Sequence, residues 1–586
     1  MITDIEDLVL IKNEFKNDIN NEDFNTHNFI QKIKNKYKLN CSKINLIDFY
    51  NELNINNFNL KKKIIKKIQK SQSGIISISV LTSGTPEYTN KDGIKIKGTF
   101  SCLHKCSFCP DEKPSIDNNW TQQPKSYLYT EPAVLRANQN DFDPVKQMNS
   151  RISSLIKMGH IVDKIELIVL GGTWSEYPKE YQEEFITALY YSANVFHSTD
   201  KRSIRTLKDE IKENEYASIH IIGLTLEMRS DSINLDEIKR LRRFNCTRVQ
   251  LGIQHTNNHV LKMNNRGETI ETTIKAIKLL KDNCYKIDAH LMLNLYGSSP
   301  ELDRQMLNEI IENPNIQVDQ LKIYPCAIVP FTKIKELYEK GIYIPYDDKY
   351  LFDIIKEFKM NIKKYFRINR IIRDISGHYI IGGYPQHFTN LRQQLKLDMN
   401  KNNWVCNCIR CREIKDTSQI SLNQISLNQI SYKASDGIEF FISFETDKYL
   451  IGFIRLRLPS KTSNIIPTLN NCALIRELHV YSNIINVDGN NNNNSLQHKG
   501  FGKKLLAKAE EIAIQNGYSK IAIISGTGAR NYYRKLGYLL IDTYMCKELS
   551  LDFKFILKSG LKSGLKLGLN LGLAFIIGFI IYKKMK

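Results

Sequence analysis

The sequence predicts an α/β protein built on two unequal sheets, and three observations predict it. At 586 residues the chain is too long for one hydrophobic core, and its length points to about three to four domains. From about residue 73 to 350, short β-rich runs alternate with helical stretches. That is the pattern of repeated β-α units on a parallel sheet, closed or partly closed. From about 433 to 549 the pattern changes to three strands at hairpin-like spacing, then a helix and a further strand. With 42% apolar and 25% charged residues, the composition is that of a folded chain and excludes a disordered one.

Residues 1–72 alternate polar and apolar residues at helical spacing and end in KKKIIKKIQK. Lysines at 61–63, 66, 67 and 70 flank Ile64, Ile65 and Ile68, which gives an amphipathic basic helix. Such a helix suits a phosphate backbone; a solvated face packed on its neighbour is the alternative. The whole chain carries 83 basic against 62 acidic residues, a net charge of +21. The excess points to a polyanion, either nucleic acid or an anionic membrane surface. Lysine enrichment from biased base composition, alongside the many Asn and Ile residues, would produce it too. The N-terminus MITDIEDLVLIKNEF is acidic and lacks a long apolar run, so no secretory signal is read and a cytosol-facing protein is expected.

Residues 73–365 form the first α/β unit. IISISVLT, KIELIVLGGT, SIHIIGLTLE, RVQLGIQ, KIDAHLML and QLKIYP read as buried strands separated by helices such as EYQEEFITALYYSA and LDEIKRLRRF. A parallel sheet places its site at the strand C-terminal ends. There stand Gly171-Gly172-Thr173, whose bare backbone could approach a ligand closely, then Glu227 with Arg229 and Asp231, and Gln254 with His255. Near the start of this unit, Cys102, Cys106 and Cys109 show the spacing C-x3-C-x2-C. Three thiolates hold three irons of a [4Fe-4S] cluster and leave the fourth open to bind and reduce S-adenosylmethionine, whose cleavage gives a carbon radical. Zinc wants four ligands, often as paired C-x2-C units, and His104 lies too close in sequence to complete a tetrahedron. Of the twelve cysteines, six sit in two tight clusters, which read as metal ligands in a reducing compartment rather than as a disulfide framework.

Residues 366–432 read as a small connector. Cys406, Cys408 and Cys411 form the second cluster, and with His378 as the preferred fourth ligand they close a structural zinc site; His387 is an equally available imidazole. The following SQISLNQISLNQIS repeats a five-residue unit and reads as a low-complexity insertion or linker.

Residues 433–549 carry the second unit. EFFISFET, YLIGFIRLRL and ALIRELHVY are its first strands; Asn490–Asn494 form a polar loop; and Gln497-His498-Lys499-Gly500-Phe501-Gly502-Lys503 opens the helix KLLAKAEEIAIQNG. Q-x-x-G-x-G at a helix N-terminus presents free backbone N–H groups to a pyrophosphate. With RNYYRKLGY after the next strand, it points to an acyltransferase fold that binds coenzyme A. The tail, 550–586, contains LKLGLNLGLAFIIGFIIY from Leu565 to Tyr582 and ends on Lys583, Lys584, Met585 and Lys586. Its apolar part is at the short end of the roughly 17–25 residues a spanning helix needs. It reads as a transmembrane helix at about 567–582, a C-terminal membrane anchor, with an interfacial tail or a helix docked on the protein as alternatives.

Taken together, SYLYTEPAVLRA, HIVDKIELIVLGGTW, CTRVQLGIQ, NRG, LKIYP, NLRQQL, CIRCRE, IRELHVY, KGFGKKLL and ISGTGARNYYRKLGY resemble one family from about residue 73 to 548. It is the catalytic acetyltransferase subunit of Elongator with its single-chain archaeal, bacterial and viral relatives. The resemblance implies a partial TIM-type radical S-adenosylmethionine barrel, then a Gcn5-type (GNAT) acetyltransferase domain. It implies transfer of an acetyl group from acetyl-CoA to carbon 5 of the wobble uridine of tRNA, giving a carboxymethyl-type product. A radical is chemically sensible there, because carbon 5 is too weak a nucleophile to attack a thioester under mild conditions.

By the same resemblance, Cys102, Cys106 and Cys109 hold the cluster, and Lys164 reaches acetyl-CoA from the radical domain. Glu477, Leu478, His479 and Val480 pair with the pantetheine arm, while Phe501, Gly502 and Lys503 lie on the pyrophosphate loop. Tyr533 faces the thioester end with Tyr532 supporting the pocket, and Lys322 approaches the cluster or substrate. Elongator-like partner subunits or a homodimer are implied as partners. Two departures stand out: Pro110 is followed by Asp111 and Glu112 where the family has Pro-Gly-Gly, and the first cysteine gap is shorter than in most relatives. Acids close to the cluster would lower its potential. Two other functions compete: a protein lysine acetyltransferase with a scaffold front domain, and a non-catalytic, membrane-tethered RNA-binding subunit.

Overall fold

A computed structural model describes residues 5–549 apart from isolated positions and the stretches 56–63, 65–73, 115–119, 415–419, 461–464 and 482–499. The apolar tail, the lysines of KKKIIKKIQK, the Asn490–Asn494 loop, Gln497 to Lys499 and His387 lie outside the described residues. Among the described residues no helix is long and apolar enough to cross a membrane.

The N-terminal region is a three-helix unit, α1 (Ile5–Asp18), α2 (Thr26–Tyr37) and α3 (Lys43–Glu52). Its core is aromatic: Phe15 sits 5.8, 5.7 and 6.2 Å from the rings of Phe24, Phe29 and Phe49. Ile64, the one described residue of the basic run, is buried in this cluster.

The first sheet contains β1 (Ile76–Leu81), β4 (Lys164–Leu170), β5 (His220–Met228), β6 (Arg248–Gln254), β7 (Lys286–Leu293), β8 (Gln320–Pro325) and β9 (Arg367–Arg370). They stand in that order and every pair is parallel. The hairpin β2 (Glu87–Thr89) and β3 (Lys95–Lys97) stands apart. No pairing joins β1 to β9 among the described residues, so the barrel is partial. β6 is buried through six of its seven residues, as expected of a strand covered on both faces.

The second sheet runs β10 (Ser426–Ala434), β11 (Gly437–Glu445), β12 (Leu450–Leu458), β13 (Cys472–Val480), β14 (Lys520–Ile523), β16 (Tyr544–Glu548) and β15 (Leu539–Ile541). Strand pairing moves both connector boundaries read from the sequence. β9 belongs to the barrel sheet. β10, which holds the last copies of the five-residue repeat, pairs along its whole length with β11 instead of forming a linker. The reason is legible in its burial: Leu427, Gln429, Ser431 and Lys433 are exposed while Asn428, Ile430 and Tyr432 are half-buried, the period of an edge strand. Tyr432 then stacks on Tyr365 of the barrel unit, centroids 3.9 Å apart.

The two units share a core cluster and a buried charge network. Arg476 on β13 donates from Nη1 to Asp319 (2.8 Å), just before β8, and from Nη2 to Glu439 on β11 (2.7 Å). Arg457 reaches Asp282, and Lys281 reaches Glu439 at 2.9 Å. All six side chains are almost completely buried.

Candidate functional site

The mouth of the barrel encloses a cavity of about 240 Å³ lined by Cys102, Cys106, Cys109, Gly172, Glu227 and Lys322, among others. The C-x3-C-x2-C loop thus lies where the parallel sheet places its site. Among the described residues the thiols at 102, 106 and 109 are not drawn within 4.8 Å of one another, whereas those at 406, 408 and 411 are. A single zinc with Zn–S near 2.3 Å needs sulfurs roughly 3.8 Å apart. The donor sets therefore differ: the first is too open for one zinc and suits a multi-iron cluster, and the second suits one ion.

Gly171 and Gly172 do different work from that expected of a bare loop. Gly171 adopts φ +143°, and a Cβ there would lie 1.7 Å from Thr82 Oγ1. Both amides point to Glu227 Oε2, at 3.4 and 3.2 Å, and Tyr127 OH donates to the same oxygen at 2.8 Å. The turn holds Glu227 at the cavity wall.

Lys322 projects into the cavity from the middle of β8 rather than from its end. Its Nζ stands 3.9 Å from Asp288 Oδ2; burial lowers its pKa, against the opposing pull of Asp288 and Glu227. Four further cavity residues were missed by sequence reasoning: His290, Tyr324, Arg370 and Arg373. Alternation along β7 and β8 was the available signal, since Lys322 and Tyr324 are two apart on one face. Burial holds His290 well below its ordinary pKa, reinforced by Lys322 and Arg373, so the imidazole is neutral. Arg373 closes the wall by donating to both oxygens of Glu131, at 3.1 and 2.7 Å.

The second candidate site lies in the second sheet. β13 pairs in parallel with β14 only over Cys472–Ile475, closed by Ile524 N donating to Ile475 O at 3.3 Å. β13 continues to Val480, so Glu477, Leu478, His479 and Val480 keep one backbone edge unpaired among the described residues. That split is a slot for an extended amide-bearing chain. Burial pushes Glu477 up, but Lys286 and Arg455 outweigh it and its pKa falls to about 2. The helix Phe501–Gln515 starts from Gly500 in the left-handed region, φ 73°, beside the slot. A Cβ on Gly502 would meet Tyr532 OH at 2.8 Å. Lys503 is exposed in this first turn, and Phe501 is buried. The two tyrosines differ in exposure: Tyr532 is 38% exposed beside the helix N-terminus, whereas Tyr533 is 7% exposed and packs on Tyr538. Successive helical residues point about 100° apart, so the two rings leave the helix in different directions.

Glu477 Oε1 lies 3.8 Å from Nζ of Lys286, the first residue of β7, so the slot stands by the barrel floor, the end opposite the cysteine loop. Lys164 begins β4 opposite His220, the first residue of β5, and its half-exposed Nζ pairs with Asp163 at 2.9 Å. The turn Gly526–Ala529 sits on these strand starts: a Cβ on Gly526 would lie 2.1 Å from Ile222 O, and one on Gly528 2.3 Å from His220 Cβ. β4 has seven residues. At about 3.3 Å per residue, mouth and floor lie roughly 20 Å apart.

At the connector, Cys406, Cys408 and Cys411 converge, and the buried Lys359 places Nζ 3.8 Å from Cys411 Sγ. His378 does not join them, which corrects the ligand preferred from the sequence. It is exposed on a short helical turn, its Nδ1 is 2.9 Å from Ser376 Oγ, and its ring packs on Tyr379, whose hydroxyl donates to Glu112.

Comparison with known proteins gives three family matches along the chain. The Radical SAM superfamily matches residues 96–307, the Radical_SAM C-terminal domain residues 318–401, and the acetyltransferase (GNAT) family residues 411–538. The chain is 37% identical over 504 residues to a tRNA uridine(34) acetyltransferase of Methanocaldococcus infernus, covering 84% of this chain and 88% of that one. It is 33% identical over 450 residues to Elongator complex protein 3 of Dictyostelium discoideum, covering 76% and 78%. A solved structure of the archaeal Methanocaldococcus infernus Elp3 with an N-terminal deletion superposes with a TM-score of 0.65 at 37% identity, covering 72% of this chain and 97% of that one.

Proposed function

The chain belongs to the family of tRNA uridine(34) acetyltransferases and Elongator complex protein 3, and on that premise we propose how its residues divide the work of acetylating the wobble uridine of tRNA. One observation carries the reading: a strand split with a free backbone edge is fixed against the floor of a barrel whose mouth holds a cysteine trio. Cys102, Cys106 and Cys109 would hold a [4Fe-4S] cluster, which with S-adenosylmethionine supplies a carbon radical.

The other parts are played by side chains. Glu227, tied by three donors, orients a hydroxyl-bearing ligand at the wall. The neutral imidazole of His290 and the buried Lys322 present one uncharged and one cationic group to the substrate in the lumen. The free edge of Glu477–Val480 pairs with the pantetheine amides. Phe501, Gly502 and Lys503 present first-turn N–H groups and a cation to the pyrophosphate. Tyr532 stands where a hydroxyl can meet the thioester end, and Lys164 reaches the same interface from the barrel side.

Acetyl-CoA consumption by the full, anaerobically reconstituted chain tests this reading. Bulk tRNA is expected to stimulate it, and Tyr532→Phe to lower it about tenfold to a hundredfold, with a smaller effect from Tyr533→Phe. Consumption driven by lysine peptides and indifferent to tRNA would replace this reading with a protein acetyltransferase. The connector trio is assigned to structural zinc. Metal analysis should find zinc that Cys408→Ser loses, and limited proteolysis should then cut between β9 and β10; an unchanged digest and metal content would refute a structural ion.

A further inference from the structure

Two buried guanidinium groups face the central cysteine of the trio. Arg266 places Nη1 3.8 Å from Cys106 Sγ, and Arg229 places Nη1 4.0 Å from it. Cys106, Arg229 and Arg266 are 8%, 3% and 6% exposed, so little water screens the approach. Carboxylates and carbonyls occupy the far side of each fork. Arg229 donates from Nε and Nη2 to Asp231 at 3.0 and 2.7 Å, and from Nη2 to Arg266 O at 2.7 Å. Arg266 lies with Nε 2.6 Å from Glu268 Oε1 and donates from Nη2 to Gly252 O. The remaining corner of each planar fork is the one aimed at sulfur. His104 braces the assembly: its Nε2 lies 3.3 Å from Asp231 Oδ2, and its ring packs on Gly267, where a Cβ would come within 2.5 Å.

The acids that follow Pro110 are placed otherwise. Asp111 pairs with Lys113 at 2.9 Å. Glu112 is buried and accepts from Gln123 Nε2, Tyr129 N and Tyr379 OH at 3.0, 2.6 and 3.1 Å. Glu112 thus ties the loop after Cys109 to the connector, and the charges nearest Cys106 are the two cations.

We propose that Arg229 and Arg266 set the reducibility of the cluster by directing guanidinium N–H groups at the Cys106 thiolate. Reduction adds an electron and makes the cluster more negative. Donors and positive charge at a ligating sulfur favour the reduced state and raise the potential. The inference rests on the assignment of Cys106 as a cluster ligand.

The test is the midpoint potential of the full chain, reconstituted without S-adenosylmethionine and titrated under paramagnetic resonance. Arg266→Gln and Arg229→Gln are each expected to keep the wild-type iron and sulfide content. Each should also lower the reduced-to-oxidised ratio at a fixed poise about tenfold, equivalent to about 59 mV for a one-electron couple. Arg266→Lys and Arg229→Lys, which keep the charge and lose the fork, should fall between. A potential unchanged in both Gln variants overturns the proposal and leaves the guanidiniums as packing. If the Gln variants take up no iron, the Lys variants decide, and unchanged potentials in both overturn it equally. Because the ligand is absent, binding of its carboxylate by either arginine cannot produce the shift. A wild-type chain that assembles no cluster would instead refute the underlying assignment.

Discussion

Asp319→Ala is expected to cost about 3–5 kcal/mol of stability. Asp319 accepts from Arg476 Nη1, Arg455 stands 3.7 Å away, and Ile287 N donates to it at 2.9 Å. Removing the carboxylate leaves Arg476 with Glu439 and Arg455 with Glu477, two buried cations each short of one partner between the barrel and the acetyltransferase sheet. Burial raises the pKa of Asp319, but Arg476 and Arg455 outweigh it and leave it lowered. Glu477, held at about 2 against an ordinary 4.5, belongs to the same group of charges through Arg455 at 2.9 Å. A carboxyl whose folded pKa is depressed stabilises fully above its unfolded value and loses that contribution as pH falls through the folded one. The contact between the units should therefore hold above about pH 4.5 and loosen as pH falls toward 2. Chemical denaturation of wild type and Asp319→Ala at pH 7 and pH 4 checks both statements; equal midpoints at pH 7 would show the network to be dispensable.

Gly526→Ala is expected to abolish coupling between the two sites while leaving each assembled. Its Cβ would lie 2.1 Å from Ile222 O and 2.2 Å from Ile222 C, both backbone atoms in the barrel floor. Neither can move without disturbing β5, so the turn must lift away. The iron content should match wild type, because the cysteine loop stands roughly 20 Å off at the other end of the strands. tRNA-stimulated consumption of acetyl-CoA should fall by at least about tenfold, since an ångström-scale misplacement can cost 10²-fold. Wild-type stimulation in this variant would mean that the two sites need no fixed docking.

Much of this arrangement was legible in the chain. Alternating strands and helices announce the barrel, and C-x3-C-x2-C stands early in that alternation. The split beyond Ile475 follows a strand motif, IRELHVY, long enough to outrun the four-residue β14. What local patterns could not show are relations between distant segments. Arg373, from the connector, closes a wall with Glu131, and Tyr379, on which His378 packs, bonds Glu112. The repeat around Ser426 looks like a linker because its composition is polar, yet an edge strand needs only one half-buried face, and its alternation provides that. The pairing of Arg476 with an aspartate 157 residues away has no local signature at all.

The central claim is that the acetyl group held in the slot ends on the wobble uridine through chemistry that needs the cysteine trio. The most direct measurement supplies acetyl-CoA labelled in its acetyl carbons, bulk tRNA, S-adenosylmethionine and a low-potential reductant to the reconstituted full chain. The tRNA is then digested to nucleosides. Label on carbon 5 of uridine from wild type, and none from Cys106→Ser or without S-adenosylmethionine, is the predicted result. Labelled uridine formed equally well by Cys106→Ser, or label found only on protein lysines, would contradict it.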